Sequence, residues 1–336
     1  MFDKLWTANR QDFIQSYAVN AVHPCLAVPV RLWARRVTTV EVIRMLKRKN
    51  RLGYFFMLPS MLFIVLLILY PVCSTIYTSF FDFRTQTWTQ GMQFNGLNNY
   101  VRAINDAHFW TTVRWTLGFT SISVAFELFI GMLLALLMKQ QLPGQGIIRT
   151  TVLIPWVIPT IVSGVLWKQF FNRSGIINHL LLSLGLIPEA VHWLDKIPTS
   201  RLALLVADIW KTTPYMALLL LSGMLMVSEY YYEAAKIDGA GRWQSFWHIT
   251  LPMIKPAMMV ALMFRIISAL RVYDLIVSIT SGGPAGGTET LSMYTINTYF
   301  TYGNLGYGSA LAVIMLMIAM GISLFFVGSL KTKVVE

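Results

Sequence analysis

Six long apolar windows constrain the fold of this chain more than any other feature of the sequence. They cover about residues 53–80, 111–138, 147–171, 201–226, 257–280 and 309–330. A bilayer core of about 30 Å needs about 20 mostly apolar helical residues to cross it. Two stretches, Tyr54–Tyr70 and Ser309–Leu330, carry no charge at all. The windows predict an all-α polytopic membrane protein with six transmembrane helices.

The composition agrees with a membrane location. Apolar residues make up 56% of the chain and charged residues 12%, whereas a soluble domain is about 45–50% apolar and about 25% charged. So few charges cannot cover a soluble surface of this size. Cys25 and Cys73 are too few for a disulfide framework or a zinc site.

The windows leave little room for other domains. The predicted organisation is a basic N-terminal arm at 1–52, a six-span domain at 53–330 and a short tail at 331–336. None of the connections reaches the length of about 50 residues that a separate domain requires. One alternative stays open: translation could begin at Met45, because a short basic stretch before the first span would suffice.

The placement of Lys and Arg predicts the orientation. The arm, the second and fourth connections and the tail together hold 17 of them, and the other three connections hold four. Because basic residues accumulate on the cytoplasmic side, both termini are predicted to be cytosolic. The same placement accounts for the net charge of +12, because the basic residues lie at the predicted membrane edges. We therefore expect a lipid bilayer as partner, and no nucleic acid.

The fourth connection, residues 228–256, is unusually structured for a cytosolic loop. Ser228 is a good N-cap and Glu229 favours the start of a helix. Gly239 then breaks the run, and a second short helix, Trp243–Ile249, is predicted to end before Pro252. We call residues 228–256 the coupling segment.

The aromatic side chains of this segment, Trp243, Phe246 and Trp247, are too apolar to be left in water. Two interpretations stay open. The aromatics form a surface for a protein partner, or they rest in the headgroup region of the bilayer.

The coupling segment resembles the EAA loop of ABC importer permeases. The matching positions are Glu233-Ala234-Ala235, Gly239 and Ile249-x-Leu251-Pro252. The resemblance extends to Glu127 and Gly131, Gly146-x-x-Arg149, Pro155-Trp156, Trp167, Asp208-Ile209-Trp210 with Pro214, Arg271-x-Tyr273-Asp274, and Thr280-x-Gly282-Gly283-Pro284.

In all, residues from about 50 to 330 resemble the permease of a carbohydrate ABC importer of the maltose, trehalose or glycerol-3-phosphate type. A long periplasmic insertion and extra spans, typical of the larger maltose-type subunit, are missing from this sequence. That difference favours the six-span trehalose or glycerol-3-phosphate subgroup. The implied substrate is a di- or oligosaccharide or a sugar derivative.

The resemblance implies that the coupling segment docks on a cytosolic ATPase and links nucleotide closure to permease movement. Glu233 would pair with a basic residue of the ATPase, and Gly239 would permit a sharp turn between the two helices. Leu251 and Pro252 would fix the segment to the fifth span. The coupling residues implied in this way are Glu233, Ala234, Ala235, Asp238, Gly239, Ile249, Leu251 and Pro252.

The resemblance also implies the partners. One coupling segment for a motor of two ATPases requires a second six-span permease. The family implies that this partner is a related but different subunit, which gives a heterodimer. Two copies of the ATPase and an extracytoplasmic sugar-binding protein complete the assembly. The chain itself would bind no cofactor, since ATP and Mg belong to the ATPase. The implied location is a bacterial or archaeal plasma membrane.

Ionisable residues inside the predicted spans are a further constraint, because each costs about 2.5–3.5 kcal/mol at the centre of a lipid-facing helix. Such residues must face protein or a water-filled path. Asp208 with Lys211 and Arg271 with Asp274 are each three residues apart, so each pair is expected to share a helix face. Glu127 and Arg265 lie at positions nearer the midplane, where they could pair with each other.

Two hypotheses remain for these charges. In the first, Glu127, Arg265, Asp208 and Lys211 form ion pairs that lock the bundle. In the second, some of them line the sugar path beside aromatic faces. The path candidates are Trp210, Lys211, Tyr215, Arg271, Tyr273 and Asp274. Pro155, Pro159 and Pro214 are expected to interrupt helices, either around the path or for packing.

Three other functions fit the sequence less well. A secondary transporter would show an internal repeat, and no repeat is visible. An intramembrane enzyme would show a motif such as H-E-x-x-H or G-x-S-x-G, and neither occurs. For an ATPase, Gly282 and Gly287 have the spacing of a P-loop, but Thr288 stands where its lysine belongs. The sequence therefore predicts a transport subunit and no enzyme.

Overall fold

The computed structural model describes residues 56–140 and 143–331. The described residues up to Tyr70 belong to one unit, and those from Pro71 onwards belong to a second. The N-terminal arm, Met45, Cys25 and the tail beyond residue 331 lie outside the described residues, so the predictions made for them stay predictions.

Helices form most of the described structure. In chain order they are α1 (Phe56–Thr78), α2 (Asn98–Asn105), α3 (Ala107–Lys139), α4 (Gln145–Val157), α5 (Thr160–Phe170), α6 (Ile176–Ser183), α7 (Ile197–Leu225), α8 (Glu229–Ile237), α9 (Arg242–Leu270), α10 (Asp274–Ile279), α11 (Leu291–Ile296) and α12 (Leu305–Lys331). The prediction of an all-α fold is confirmed. A single two-residue strand pair accompanies the helices, β1 (Phe81–Asp82) and β2 (Gln93–Phe94), which are antiparallel.

Five helices in the described ranges are long and apolar enough to cross a bilayer: α1, α3, α7, α9 and α12. The predicted third span is the pair α4 and α5, which bend by 91° at Ile158 and Pro159. Counted as one span, the pair brings the total to six, which is consistent with the prediction. The residue before a proline is biased towards extended conformations, and Ile158, with ψ of 131°, ends α4 in such a conformation.

Pro155 and Pro214 do not interrupt helices, contrary to the sequence expectation. Pro155 lies inside α4 and Pro214 lies inside α7. Neighbouring helices and hydroxyl side chains can satisfy the carbonyls that a proline frees inside a bundle.

The fifth span differs most from its predicted range of 257–280. Helix α9 begins at Arg242 and ends at Leu270, so it continues through Pro252 instead of stopping before it. The five residues before Leu251, Phe246–Thr250, form a wider π-helical turn. That wider turn leaves room for a proline ring, which would clash with the preceding turn of a regular α-helix.

The break after Leu270 also corrects an expectation. Arg271 and Asp274 do not share a helix face, because α9 ends before Arg271 and α10 starts at Asp274. Hydroxyl groups satisfy the backbone carbonyls that the break frees. Thr290 Oγ1 donates to the carbonyl of Val272 at 3.0 Å, and Ser292 Oγ donates to that of Arg271 at 3.4 Å.

Helix α7 is the central helix of the second unit, since 56% of its apolar window is buried. It packs on α3 so closely that a Cβ on Gly131 of α3 would lie 3.0 Å from Met216 Cγ. It packs on α9 at Gly223, where a Cβ would lie 2.6 Å from Ala257 Cβ. The largest hydrophobic cluster joins α3, α7 and α9, and its fully buried members include Ala135, Met138, Met216, Leu220, Met224 and Ile254.

Candidate functional site

A buried ionic cluster lies where α3, α7 and α9 meet. Glu127 of α3, Asp208 of α7 and Arg265 of α9 have side chains that are 0%, 6% and 4% exposed. Arg265 Nη2 donates to Glu127 Oε1 at 2.7 Å and to Asp208 Oδ2 at 2.5 Å, and its Nε donates to Glu127 Oε2. Because removing charges from water is costly, such a cluster persists only when its charges are paired and hydrogen-bonded.

Two hydroxyl groups complete the cluster and were missed in the sequence. Ser123 Oγ lies 2.6 Å from Glu127 Oε1 and 2.5 Å from Asp208 Oδ2. Thr212 Oγ1 lies 2.8 Å from Glu127 Oε1. The available signal was spacing: Ser123 precedes Glu127 by four residues and Thr212 follows Asp208 by four, so each shares a helix face with its carboxylate.

Lys211 was expected to pair with Asp208, but the structure pairs Asp208 with Arg265 instead. Lys211 is buried, at 8% exposure. Its ammonium lies within 4.0 Å of no carboxylate oxygen in residues 56–140 and 143–331. Asp208 and Lys211 are three residues apart, yet Arg265 Nη2 donates to Asp208 Oδ2 while Nε and Nη2 of the same guanidinium bind the carboxylate of Glu127. An ammonium cannot provide this forked geometry.

The coupling segment consists of α8, a glycine turn and the start of α9. Ser228 caps α8 by accepting a hydrogen bond from the Tyr230 N–H. Gly239 has φ of +80°, a left-handed conformation that side chains with a Cβ adopt only at a cost. The turn closes when the Ala240 N–H donates to the Ala235 carbonyl at 2.8 Å.

The positions proposed for coupling divide into two groups by exposure. Glu233, Asp238, Gly239 and Pro252 are exposed, whereas Ala234, Ala235, Ile249 and Leu251 are half-buried. One hydrogen bond ties the two helices together, between Tyr232 Oη of α8 and Thr250 Oγ1 of α9, at 3.0 Å. The segment therefore presents an acidic and glycine-containing surface on a fixed pair of helices.

Helix α9 joins the coupling segment directly to the ionic cluster. It starts at Arg242, three residues after Gly239, and carries Arg265 in its last turns. The distance from Arg242 to Arg265 along the axis is about 35 Å at 1.5 Å per residue. A movement of the coupling segment would thus be carried by one helix to the core contacts with α3 and α7.

The aromatic path candidates of α7 lie against the bent pair α4–α5. The rings of Tyr215 and Trp156 stack with centroids 5.6 Å apart, and the rings of Trp210 and Trp167 meet edge-on at 5.6 Å. Trp210 also lines an apolar groove of about 640 Å³ between α3, α4, α5 and α7. Trp210 and Tyr215 are thus brought together with aromatic residues of α4–α5.

The remaining path candidates lie at the break between α9 and α10. Arg271 and Asp274 are exposed, and neither makes an ion pair in the described part of the chain. Tyr273 is half-buried and packs against a hydrophobic cluster that contains Trp115, Phe119 and Leu275. The break therefore exposes two opposite charges beside one partly buried aromatic ring.

A second polar cluster lies at the N-terminal end of α3. Asp106 caps α3 and accepts hydrogen bonds from Tyr294 Oη at 2.6 Å and Tyr307 Oη at 3.1 Å. Burial alone would raise the pKa of Asp106, but these bonds and those from backbone N–H groups outweigh it and lower the pKa below 3.8. Close by, His108 Nε2 lies 2.8 Å from Glu289 Oε2.

The glycine-rich segment after α10 is held by hydrogen bonds within the segment and to side chains of α3 and α7. Thr288 Oγ1 donates to the Gly283 carbonyl at 2.7 Å, and the Thr288 carbonyl accepts from Trp115 Nε1 at 3.1 Å. Arg201 Nε donates to the carbonyl of Gly287 at 2.8 Å. The backbone of this segment is thus engaged within the protein. Within residues 56–140 and 143–331, no group of three or more His, Cys, Asp and Glu residues is placed to hold a metal ion.

Comparison with known proteins defines the class. Residues 127–331 match the family model described as "Binding-protein-dependent transport system inner membrane component". The chain is 39% identical over 280 residues to the trehalose/maltose transport system permease protein of Thermococcus litoralis, with 83% of this chain and 93% of that protein covered. It is 37% identical to the sulfoquinovosyl glycerol transport system permease protein of Agrobacterium fabrum, with 84% and 91% covered.

Among solved structures, a bacterial ABC transporter that imports the acidic polysaccharide alginate has the same fold. The TM-score is 0.75 at 23% identity, and the match covers 86% of this chain and 99% of that chain.

A helical inner-membrane transport subunit is thus the class that fold and comparisons define. The chain belongs to the family of binding-protein-dependent transport system inner membrane components. The resemblance to ABC importer permeases seen in the sequence is confirmed, and so is the prediction of a permease rather than an enzyme. The secondary-transporter alternative is thereby set aside.

Proposed function

We propose that this chain forms half of the translocation path of an ATP-driven importer for a di- or oligosaccharide or a related glycoside. Relatives whose names specify trehalose/maltose, sulfoquinovosyl glycerol and lactose as transported compounds support this substrate class. Each of these compounds carries a glycosidic linkage and many hydroxyl groups. The chain would recognise them through polar groups and aromatic faces.

One structural observation supports the mechanism. Helix α9 runs without a break from the turn at Gly239 to the ionic cluster at Arg265, and the path candidates Arg271, Tyr273 and Asp274 follow immediately. In the proposed mechanism, the coupling segment docks on a cytosolic ATPase through the exposed Glu233 and Asp238. Closure of the ATPases then moves α9 together with α3 and α7.

The buried ionic cluster has a positioning role in this proposal. Coupling between distant sites requires an element with discrete arrangements that both sites bias. Arg265 binds α9 to α3 and α7 through two carboxylates, so these helices would move as one body. Lys211, Trp210 and Tyr215 on α7, with Arg271, Tyr273 and Asp274 beyond α9, would line the path.

The proposed assembly follows from the single coupling segment. It contains this chain, a second six-span permease, two copies of an ABC ATPase that hold ATP and Mg, and an extracytoplasmic sugar-binding protein. Both termini and the coupling segment face the cytosol. This orientation is supported by the distribution of Lys and Arg along the sequence.

Purification from a mild detergent with mass spectrometry tests the assembly. We expect each copy of this chain to be recovered with one copy of a second permease and two copies of an ATPase. Reconstituted with its binding protein, the complex should take up trehalose or maltose only with ATP present, and glycerol-3-phosphate serves as the competing substrate class. Recovery of this chain alone, with uptake independent of ATP, would contradict the proposal.

A further inference from the structure

An open groove of about 840 Å³ lies between α3, α8 and the first turns of α9. Its walls are mainly apolar and include Leu128, Phe129, Leu133 and Leu136 of α3 with Phe246 and Trp247 of α9. Phe129 and Leu133 are 65% and 52% exposed. This surface would be costly to leave in water, and the ionic cluster and the path candidates do not line it.

One end of the groove is basic. Lys139 at the end of α3, Lys236 of α8 and Arg242 of α9 line it, and no acidic residue does. None of the three lies within ion-pairing distance of a carboxylate in the part of the chain that the structure describes. Lys139 Nζ rests 4.0 Å from the ring centroid of Tyr232. Three cations therefore surround one end of an apolar channel without a counter-charge.

We propose that this groove binds an anionic phospholipid. The phosphate of the headgroup would lie between Lys139, Lys236 and Arg242, and an acyl chain would follow α3 towards Ala125. The inference rests on the proposed function in one respect: the coupling segment marks the cytoplasmic side, where anionic lipids attract basic groups.

The dimensions and the aromatic residues fit a lipid. The lining residues of α3 run from Ala125 to Lys139, about 21 Å along the helix axis. That length is more than half of a hydrocarbon core of about 30 Å. Trp243 and Trp247, which are 71% and 48% exposed, lie at the basic end, and tryptophan is enriched at headgroup level. A protein partner would instead need carboxylates to meet the three cations, together with an apolar segment to fill the channel.

Native mass spectrometry of the purified full-length chain, alone and in its complex, tests the proposal. The probes are dioleoyl phosphatidylglycerol and dioleoyl phosphatidylcholine, added at equal concentrations in a mild detergent. The charge variant combines Lys139→Gln, Lys236→Gln and Arg242→Gln. The matched control combines Lys168→Gln, Arg173→Gln and Lys196→Gln, which remove the same charge from exposed sites outside the groove.

We expect the wild type and the control to retain phosphatidylglycerol in preference to phosphatidylcholine. The charge variant should bind phosphatidylglycerol at least about tenfold more weakly than the wild type does. A second variant, Leu133→Trp, fills the channel without a change of charge and should also reduce retention. Equal retention of both lipids, or equal retention by the charge variant and the control, would overturn the proposal.

Occupation by a protein segment has its own readout. A photo-crosslinking residue at position 133 should label lipid, and labelling of the N-terminal arm or of a partner subunit would overturn the proposal. Lipid retention is measured on this chain whether or not an ATPase binds. A failure of the proposed transport function would instead appear as missing partners and ATP-independent uptake.

Discussion

Arg265 of α9 and Glu127 of α3 form a bidentate ion pair inside the bundle, with Arg265 Nη2 2.7 Å from Glu127 Oε1. The two residues are 138 positions apart in the chain. Their contact joins α9, which begins inside the coupling segment, to α3, the longest helix of the described structure. The first prediction follows from this pair.

Replacement of Arg265 by Gln should strongly destabilise the protein. The change leaves Glu127 and Asp208 side by side without the guanidinium that binds both of them, and breaking a buried ion pair typically costs about 3–5 kcal/mol. Thermal unfolding of the detergent-solubilised protein measures the loss. Arg271→Gln is the matched control, because Arg271 is exposed and makes no ion pair in the described residues. Adding Glu127→Gln to Arg265→Gln should recover part of the stability. A melting temperature equal to that of the control would contradict the assignment.

Substitution of Gly223 by Ala should disturb the packing of α7 on α9. The added Cβ would lie 2.6 Å from Ala257 Cβ, and overpacking of this kind costs about 1–3 kcal/mol. The double variant Gly223→Ala with Ala257→Gly moves the methyl group to the other helix and should restore most of the stability. Gly118→Ala is the control, since nothing lies within 4 Å of a Cβ there. Unfolding curves that do not separate Gly223→Ala from this control would argue against the packing described.

Gly239 offers a test of coupling by backbone conformation alone. Nothing lies within 4 Å of a Cβ at this position, but its φ is +80°, and a residue with a Cβ pays about 1–2 kcal/mol there. Asn tolerates this region better than a β-branched residue. Uptake by reconstituted importer should therefore fall in the order Gly, Asn, Val, while the amount of folded protein in the membrane stays the same. Normal uptake by Gly239→Val would contradict the proposed role of the turn.

Asp106 should make stability depend on pH in the acidic range. Its pKa is lowered from 3.8 because the hydrogen bonds from Tyr294, Tyr307 and backbone N–H groups outweigh the effect of burial. A carboxyl with a lowered folded-state pKa contributes stability above its unfolded pKa, and that contribution is lost as the pH falls through the folded value. At neutral pH, Asp106→Asn should thus unfold at a lower temperature than the wild type.

The difference in unfolding temperature between Asp106→Asn and the wild type should shrink as the pH is lowered below 3.8. A gap that stays constant across this range would show that ionisation of Asp106 is not the cause. Glu189→Gln serves as the control, since Glu189 is exposed and makes no ion pair in the described residues.

Much of the fold was available in the sequence. An apolar window of span length has few alternatives to a helix in a bilayer, so α3, α7 and α12 lie within a few residues of their predicted ranges. Ion pairs between helices and the positions of helix breaks were predicted less well from the sequence. The sequence suggested Asp208 with Lys211 through local spacing, but the distant Arg265 binds Asp208 instead. Local spacing ranks only neighbours on one helix, whereas three-dimensional packing offers partners from other helices.

Proline positions show the same distinction. Pro159 bends the chain and Pro214 does not, although both are prolines in apolar windows. The outcome depends on whether neighbouring groups satisfy the carbonyls that proline frees, which is a property of the packed bundle. The π-helical turn Phe246–Thr250, which carries α9 past Pro252, had no signal in the sequence that we could identify.

The sequence by itself determined that the chain is a helical membrane protein, where most of its spans lie, and that residues 228–256 resemble a coupling loop. These properties follow from hydropathy and local motifs, which do not depend on distant contacts. Only the tertiary structure decided that α9 extends from the coupling segment to the ionic cluster, and that Asp208 binds Arg265 rather than Lys211. Those features arise because buried charges take the partners that packing brings within hydrogen-bonding distance, and sequence separation has no influence on that choice.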